Sequence, residues 1–345
     1  MEFIPVEKTS KLDLVKRKIQ LTGKSTFTIS LPRDWITRYG IDQGDELNIL
    51  EQADGTLLIS KEALSALKVK EIVIDTDKIN DINLLEKIII SKYLAGYSKI
   101  TIRSRSELDS KVRKAISTTV ANLSGLEIIH EGDKEVEARE LFIRGEFPLD
   151  KLLRRAHLNA RLMQVNAVEA FTDGDTERAT DVIEREKDVD RLYFLIRREI
   201  VSALENPTYL KELNLKPQEV LYIYPVAKSL EKIADHCEGI SKSCLELKGK
   251  KIDSETNAYL QKYSQQAIEI HTQAIQAFIS KKMELAFKAI KIFEKLRNQL
   301  NDKKITRQKS NEIDVEVQLN DVERHLDRIC GYGLDIAEMA IDRIQ

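Results

Sequence analysis

"SLEKIADHCEGIS" (229–241) and "HLDRICGYGLDIA" (325–337) are two versions of one amphipathic helix. From Leu230 to Leu326 the apolar frame returns after ninety-six positions, but Asp235 has become Gly331 and His236 has become Tyr332. A helix written twice at this distance marks a duplicated helical unit, and the change between the copies marks what the fold itself does not need. Beyond Pro148 the same periodicity fills the chain. It predicts helices over 150–171, 177–204 and 219–247, then over 255–280, 283–301 and 312–343, with breaks at "ENPTYLKELNLKP" and "NDKKITRQKSN". Two three-helix units follow, at 148–250 and 251–345, and long amphipathic helices with short or polar connections pack as antiparallel bundles.

Upstream the period changes. From Lys16 to Ser60 apolar residues alternate: Ile19 and Leu21, Phe27 and Ile29, Leu47 and Ile49, Leu57 and Ile59. These are short strands, with "RDWITRY" a helix between Pro32 and Gly40 and "ADGT" (53–56) a hairpin turn. A β-rich unit of this size (1–62) buries few side chains alone, so a homodimer is expected. Residues 63–147 alternate strand and helix: "EIVID", "INLLEKIIISKYLAGY", "KITIRS", "ELDSKVRKAISTTVANL", "LEIIHE" and "ARELFIR", with Gly145 and Pro148 closing the segment. That order predicts an α/β module of ferredoxin-like kind, with its helices on one face. The expected fold class is therefore multidomain and mainly α.

Composition bounds the function. The 345 residues are 42% hydrophobic and 32% charged, with a formal net charge of −2, so any nucleic-acid surface must be local. No run approaches the roughly twenty apolar residues of a membrane span, and the N-terminal stretch lacks an apolar signal core. No membrane insertion and a cytoplasmic location are expected. Cys237, Cys244 and Cys330 form no C-x-x-C and read as buried free thiols.

The buried face of the second helix of the first unit reads Val182, Val189, Tyr193, Ile196, Ile200, and that of the third reads Ile223, Ala227, Leu230, Ala234, Cys237, Cys244. Beside these faces stand Glu184 with Asp188, and Glu231 with Asp235, each a Glu-x-x-x-Asp ladder that puts both acids on one side of a helix. Four carboxylates on neighbouring helices repel unless a cation joins them, and oxygen ligands suit hard or borderline ions. Arg185, Lys187 and Lys232 supply the alternative, a solvated face neutralised locally. His236 would add a nitrogen ligand. In the second unit Lys291, Lys295 and Gly331 stand opposite Glu184, Asp188 and Asp235. The ladder belongs to the first copy.

"VIEREKDVD" (182–190) with "LEKIADHCEGISK" (230–242) resembles the phosphate-uptake regulators of the PhoU family, over about residues 148–345. The resemblance implies that Glu184, Asp188, Glu231 and Asp235 hold divalent or trivalent metal ions such as iron, zinc, manganese or magnesium. It also implies a phosphate ABC transporter or a signalling protein as partner. Residues 17–60, with Pro32, Gly40, Gly44 and Asp45, are similar to the SpoVT/AbrB (MazE-like) domain, in which two chains interlace their strands into a swapped-hairpin barrel that grips DNA. Arg17, Lys18, Lys24, Arg33 and Arg38 are the DNA-binding candidates: dimerisation would double these bases on one surface, suiting them to operator phosphates. "TGKST" (22–26) is no phosphate loop, because a strand and not a helix follows its lysine. Nothing beyond His236 offers a nucleophile or general acid, so no enzyme is expected. The expected function is a DNA-binding transcriptional regulator with a metal-binding sensor region; the alternative is an adaptor that signals from a phosphate transporter and uses its barrel only to dimerise.

Overall fold

The computed structural model describes residues 15–52, 55–61, 70–79, 81–141, 148–302, 310 and 312–344. The chain divides into two compact units, Met1–Ala66 and Leu67–Gln345. The expected boundary at 62/63 and the expected marker Gly145 lie outside the described residues, as does the start of the "ADGT" turn.

In the N-terminal unit, β1 (Gln20–Thr22) pairs antiparallel with β2 (Thr26–Thr28), α1 (Arg33–Arg38) follows Pro32, and β3 (Asn48–Glu51) pairs antiparallel with β4 (Leu57–Ser60). Gly40 and Gly44 take positive φ in the connection from α1, and Asp45 closes that loop by accepting from the Asp42 backbone N–H at 3.0 Å. Among the described residues of one chain the strands form two separate two-stranded sheets and no closed barrel. No described residue of this unit is buried; Ile19 is 68% exposed and Phe27 72%.

The second unit begins with an α/β module. It runs β5 (Glu71–Asp75), α2 (Ile82–Leu94), β6 (Lys99–Arg103), α3 (Ser110–Ala121), β7 (Leu126–Glu131) and β8 (Glu135–Glu140). Asp81 and Asp109 cap α2 and α3, accepting from the N–H groups of Asn83 and Lys111 at 2.9 and 2.7 Å. The sheet order is β5-β6-β8-β7, with β5 and β6 parallel and the other pairs antiparallel. This corrects the ferredoxin-like expectation, whose element order is strand, helix, two strands, helix, strand. The six elements come in the order the sequence reading gave, with α3 between β6 and β7 and the two closing strands consecutive; the turn after β7, where the Gly132 N–H donates to the Glu135 carbonyl at 2.8 Å, joins those two as a hairpin. β8 starts earlier than "ARELFIR" suggested and lies between β6 and β7. Ile74, Ile100, Ile102, Val136 and Ala138 form its core with Leu85, Ile89 and Tyr93 of α2 and Ile116 and Val120 of α3.

The helical part comprises α4 (Leu149–Asp173), α5 (Thr176–Glu205), α6 (Pro207–Glu212), α7 (Pro217–Glu246), α8 (Ser254–Ser280), α9 (Met283–Asn301) and α10 (Ile313–Ile344). The apolar faces read from α5 and α7 are all buried. The short α6 lies in an expected break; Asn206 caps it, and its Tyr209 and Leu210 join the core. The duplication is visible in the helix starts, since α9 begins 107 residues after α5 and α10 ninety-six after α7. Gly174 and Lys281, again 107 apart, end α4 and α8 in the left-handed conformation. At Gly174 a Cβ would also meet the carbonyl oxygens of Gly249 and Lys250 at 2.7 Å, so only glycine fits that crossing.

The two bundles share one hydrophobic core. Between α4 and α8, Gln164 Nε2 donates to the Ser264 carbonyl and hydroxyl, both at 3.1 Å. Its Oε1 therefore accepts from His271 Nε2 at 3.0 Å, which leaves His271 Nδ1 to accept from His157 Nε2 at 2.9 Å. His157 and Gln164 correspond to Ser264 and His271 of the second copy. The pairs thus exchange equivalent positions, as a two-fold relation between the copies requires.

Phe194, Arg198 and an ion pair between Lys70 and Glu205 at 2.6 Å join the α/β module to the first bundle. Phe194 of α5 packs into both cores. Arg198, 1% exposed, pairs with Glu140 at 3.0 and 2.8 Å, donates to the Tyr93 carbonyl and stacks on the Tyr93 ring at 4.5 Å.

Candidate metal centre and basic face

Glu186 and Asp190 stand one turn apart on α5, and Asp235 faces them from α7. Each offers an oxygen within 4.8 Å of the others'. Glu231 and Glu238 of α7 flank this trio electrostatically. The α7 acids carry lysines of their own helix: Lys228 meets Glu231 at 2.6 Å, Lys232 pairs with Asp235, and Lys242 meets Glu238 at 2.7 Å. Among the described residues no such ion pair reaches Glu186 or Asp190. Burial, followed by the charges of Asp190, Asp235 and Glu238, pushes the Glu186 carboxyl up to about 8. Burial, followed by the charges of Glu231 and Asp235, raises Asp190 to about 6. Glu231 is 8% exposed, and its Oε2, 3.5 Å from Lys232, receives no hydrogen bond.

Crowded, half-buried carboxylates, of which Glu186 and Asp190 have no basic partner among the described residues, beside a buried Glu231 oxygen that accepts no hydrogen bond, fit a hard or borderline cation, since a positive ion offsets their mutual repulsion. The structure brings Asp235 into this set with Glu231 at its edge. It does not bring Glu184 or Asp188, which are exposed on α5. The sequence "EREKDVD" contains two Glu-x-x-x-Asp ladders two residues apart, and the inner-facing one is Glu186–Asp190. A signal for it exists. Glu186 falls four residues after Val182 and three before Val189, so it interrupts the buried stripe, whereas Glu184 points roughly 200° away from Val182.

His236 stands apart from the acids. Its Nδ1 lies 2.8 Å from His325 Nδ1 on α10, and its ring stacks on Tyr332 at 5.7 Å. Burial, then the neighbouring His325 and Arg328, pushes it down to about 4. Gly239 admits the His325 ring, which a Cβ there would meet at 2.2 Å.

The second bundle has a different solution. Counting 107 from Asp190 reaches Arg297, and counting ninety-six from Glu231 reaches Asp327. These two form an ion pair, with Tyr263 donating to Asp327 at 3.5 Å. A guanidinium occupies the position of a carboxylate, and Gly331 removes another.

Arg17, Lys18, Lys24, Arg33 and Arg38 are all exposed on the N-terminal unit. Lys24 sits in the β1–β2 turn, and Arg33 and Arg38 open and close α1.

A strand-rich N-terminal unit, an α/β module and duplicated three-helix bundles with carboxylates gathered in the first copy make a chain similar to PhoU proteins in its first bundle and to AbrB/MazE-like domains in its N-terminal unit. Residues 153–244 match the PhoU domain family, and residues 20–65 match the family described as antidote-toxin recognition MazE, bacterial antitoxin. The phosphate-specific transport system accessory protein PhoU homolog of Caulobacter vibrioides, in two strains, is 27% identical over 164 residues, which are 46% of this chain and 67% of that protein. The crystal structure of PhoU from Pseudomonas aeruginosa is 18% identical, with a TM-score of 0.45 over 57% of this chain and 95% of that one. That of the phosphate transport system regulatory protein PhoU from Streptococcus pneumoniae is also 18% identical, with a TM-score of 0.41 over 56% and 92%. No described helix is long and apolar enough to cross a membrane.

Proposed function

We propose that this chain is a cytoplasmic, homodimeric, non-enzymatic regulator of phosphate uptake that binds DNA through its N-terminal unit and holds a cation in its first bundle. The observation that carries the reading is the convergence of Glu186, Asp190 and Asp235. A bound divalent or trivalent ion would supply the positive charge that lets these acids ionise together. Glu186 and Asp190 would hold it from α5 and Asp235 from α7, with Glu231 as further acceptor. The relatives named as phosphate-transport accessory proteins support the phosphate context, and the MazE-like match supports DNA as partner. The unburied apolar residues of the N-terminal unit support pairing with a second copy, because a fold needs a core.

Cation binding would tie α5 to α7, and α5 carries that constraint to the α/β module through Arg198 and Phe194. The test uses a duplex selected from random DNA, titrated by fluorescence anisotropy with metal-loaded and chelator-treated full chain. Affinity should depend on metal in the wild type and not in the Asp190→Asn, Asp235→Asn variant, and elemental analysis should find metal only in the wild type. A metal-free wild type, or equal affinity in both states, rejects the coupling, because an effector without differential affinity shifts nothing.

A second reading is favoured by the relatives' name: an adaptor on a phosphate transporter, with its strands serving only to dimerise. Substituting Arg17, Lys18 and Lys24 separates the two, since DNA retention that survives the loss of all three bases supports the adaptor.

A further inference from the structure

A cleft of about 420 Å³ opens at the seam between the α/β module and the first bundle, on a different side of α5 from the carboxylate trio. The module contributes Ser124, Gly125 and Glu127 from the α3–β7 turn and the start of β7; the bundle contributes the rest from α4 and α5. Arg155 of α4 and Arg191 of α5 both line it. Neither forms an ion pair or hydrogen bond among the described residues, although Glu127 and Asp188 line the same cleft and are themselves unpaired there. Two guanidinium groups on separate helices suit an oxyanion, which arginine holds through paired N–H donors. A carboxylate pair beside them suits hydroxyl donors, and Asn159 can serve either. Leu152, Leu192 and Leu195 are buried beneath as an apolar floor. Small-molecule sites have this size and occur at seams between domains.

We infer that this cleft is a binding site for a phosphorylated ligand with a hydroxylated body, of the nucleoside monophosphate or sugar phosphate class. Arg155 and Arg191 take the phosphate, Asp188 and Glu127 accept from the ligand's hydroxyl groups, and the leucines support its least polar face. Asp188, read from the sequence as a metal ligand, lines this cleft instead. The site is independent of the cation reading.

Calorimetry on the full chain, with adenosine monophosphate, ribose 5-phosphate and inorganic phosphate as probes, tests the site. One of the two organic probes should bind once per chain and at least about tenfold more tightly than inorganic phosphate. The Arg155→Ala, Arg191→Ala variant, with wild-type circular dichroism, should lose that affinity by about tenfold or more. Asp188→Asn should weaken the organic probe while leaving inorganic phosphate unchanged. Absence of heat with both organic probes at millimolar concentration overturns the proposal, as does unchanged binding in the arginine variant. Inorganic phosphate binding as tightly as the organic probes overturns the ligand class.

Discussion

Arg198 shows how much one buried charge can organise. Its guanidinium is engaged on three sides, by the Glu140 carboxylate, the Tyr93 carbonyl and the Tyr93 ring. Removing one partner of a buried pair strands the other, at about 3–5 kcal/mol. Arg198→Ala should therefore lower unfolding free energy by about that much in urea titration, while Arg198→Met combined with Glu140→Leu should cost far less. An equal loss in both variants would mean that packing, not charge, holds the seam. At this scale the sequence was legible in part. The apolar stripes of α5 and α7 are where periodicity puts them, and Asp235 and Glu231 lie at the acid cluster. Glu184 and Asp188 are not there, because overlapping ladders in "EREKDVD" are equivalent by spacing and differ only in phase against Val182 and Val189. Arg198 carried no local mark, since its partners lie 105 and 58 positions away along the chain.

Between elements, the comparison of α5 and α7 with α9 and α10 explains the lost acid. The second copy balances Asp327 with Arg297 from within the chain. If metal binds where Glu186, Asp190 and Asp235 meet, the substitutions Phe293→Glu, Arg297→Asp and Gly331→Asp, at the equivalent positions, should build a second site beside Asp327. Metal per chain, measured by elemental analysis, should then rise to about twice the wild-type value. An unchanged ratio would deny the equivalence of the two positions. Helix and strand identities were mostly readable here, because each amphipathic segment carries its own period. Sheet order was not: a β7–β8 hairpin can present either strand to β6, and hydrophobic alternation does not choose between them.

Across the whole molecule, the paired bundles meet over His157, Gln164, Ser264 and His271. Burial, then the Arg161 charge, pushes His157 down to about 4, and burial with the His157 charge lowers His271 well below its ordinary range. Both are neutral in the fold, while unfolded histidine accepts a proton near pH 6.5. The folded pKa is depressed, so this contribution to stability is full above about pH 6.5 and is lost as pH falls; His157 alone accounts for about 3 kcal/mol by pH 4. Urea midpoints measured from pH 7 to pH 4 should fall more steeply for the wild type than for a His157→Gln, His271→Gln variant. Parallel curves would remove the pair from the acid response. The duplication itself could be read from the repeated helix frame. The continuous core could not, because contact between copies leaves no period.

The N-terminal unit, with no described side chain buried in a single chain, has a consequence for the cell. If two copies must meet before that unit has an interior, its folding obeys mass action, and dilution alone would melt it. While the fraction paired is small, halving the number of chains cuts the number of paired units about fourfold. Abundance would then be an input in its own right, setting how many gripping surfaces exist before any ion is bound.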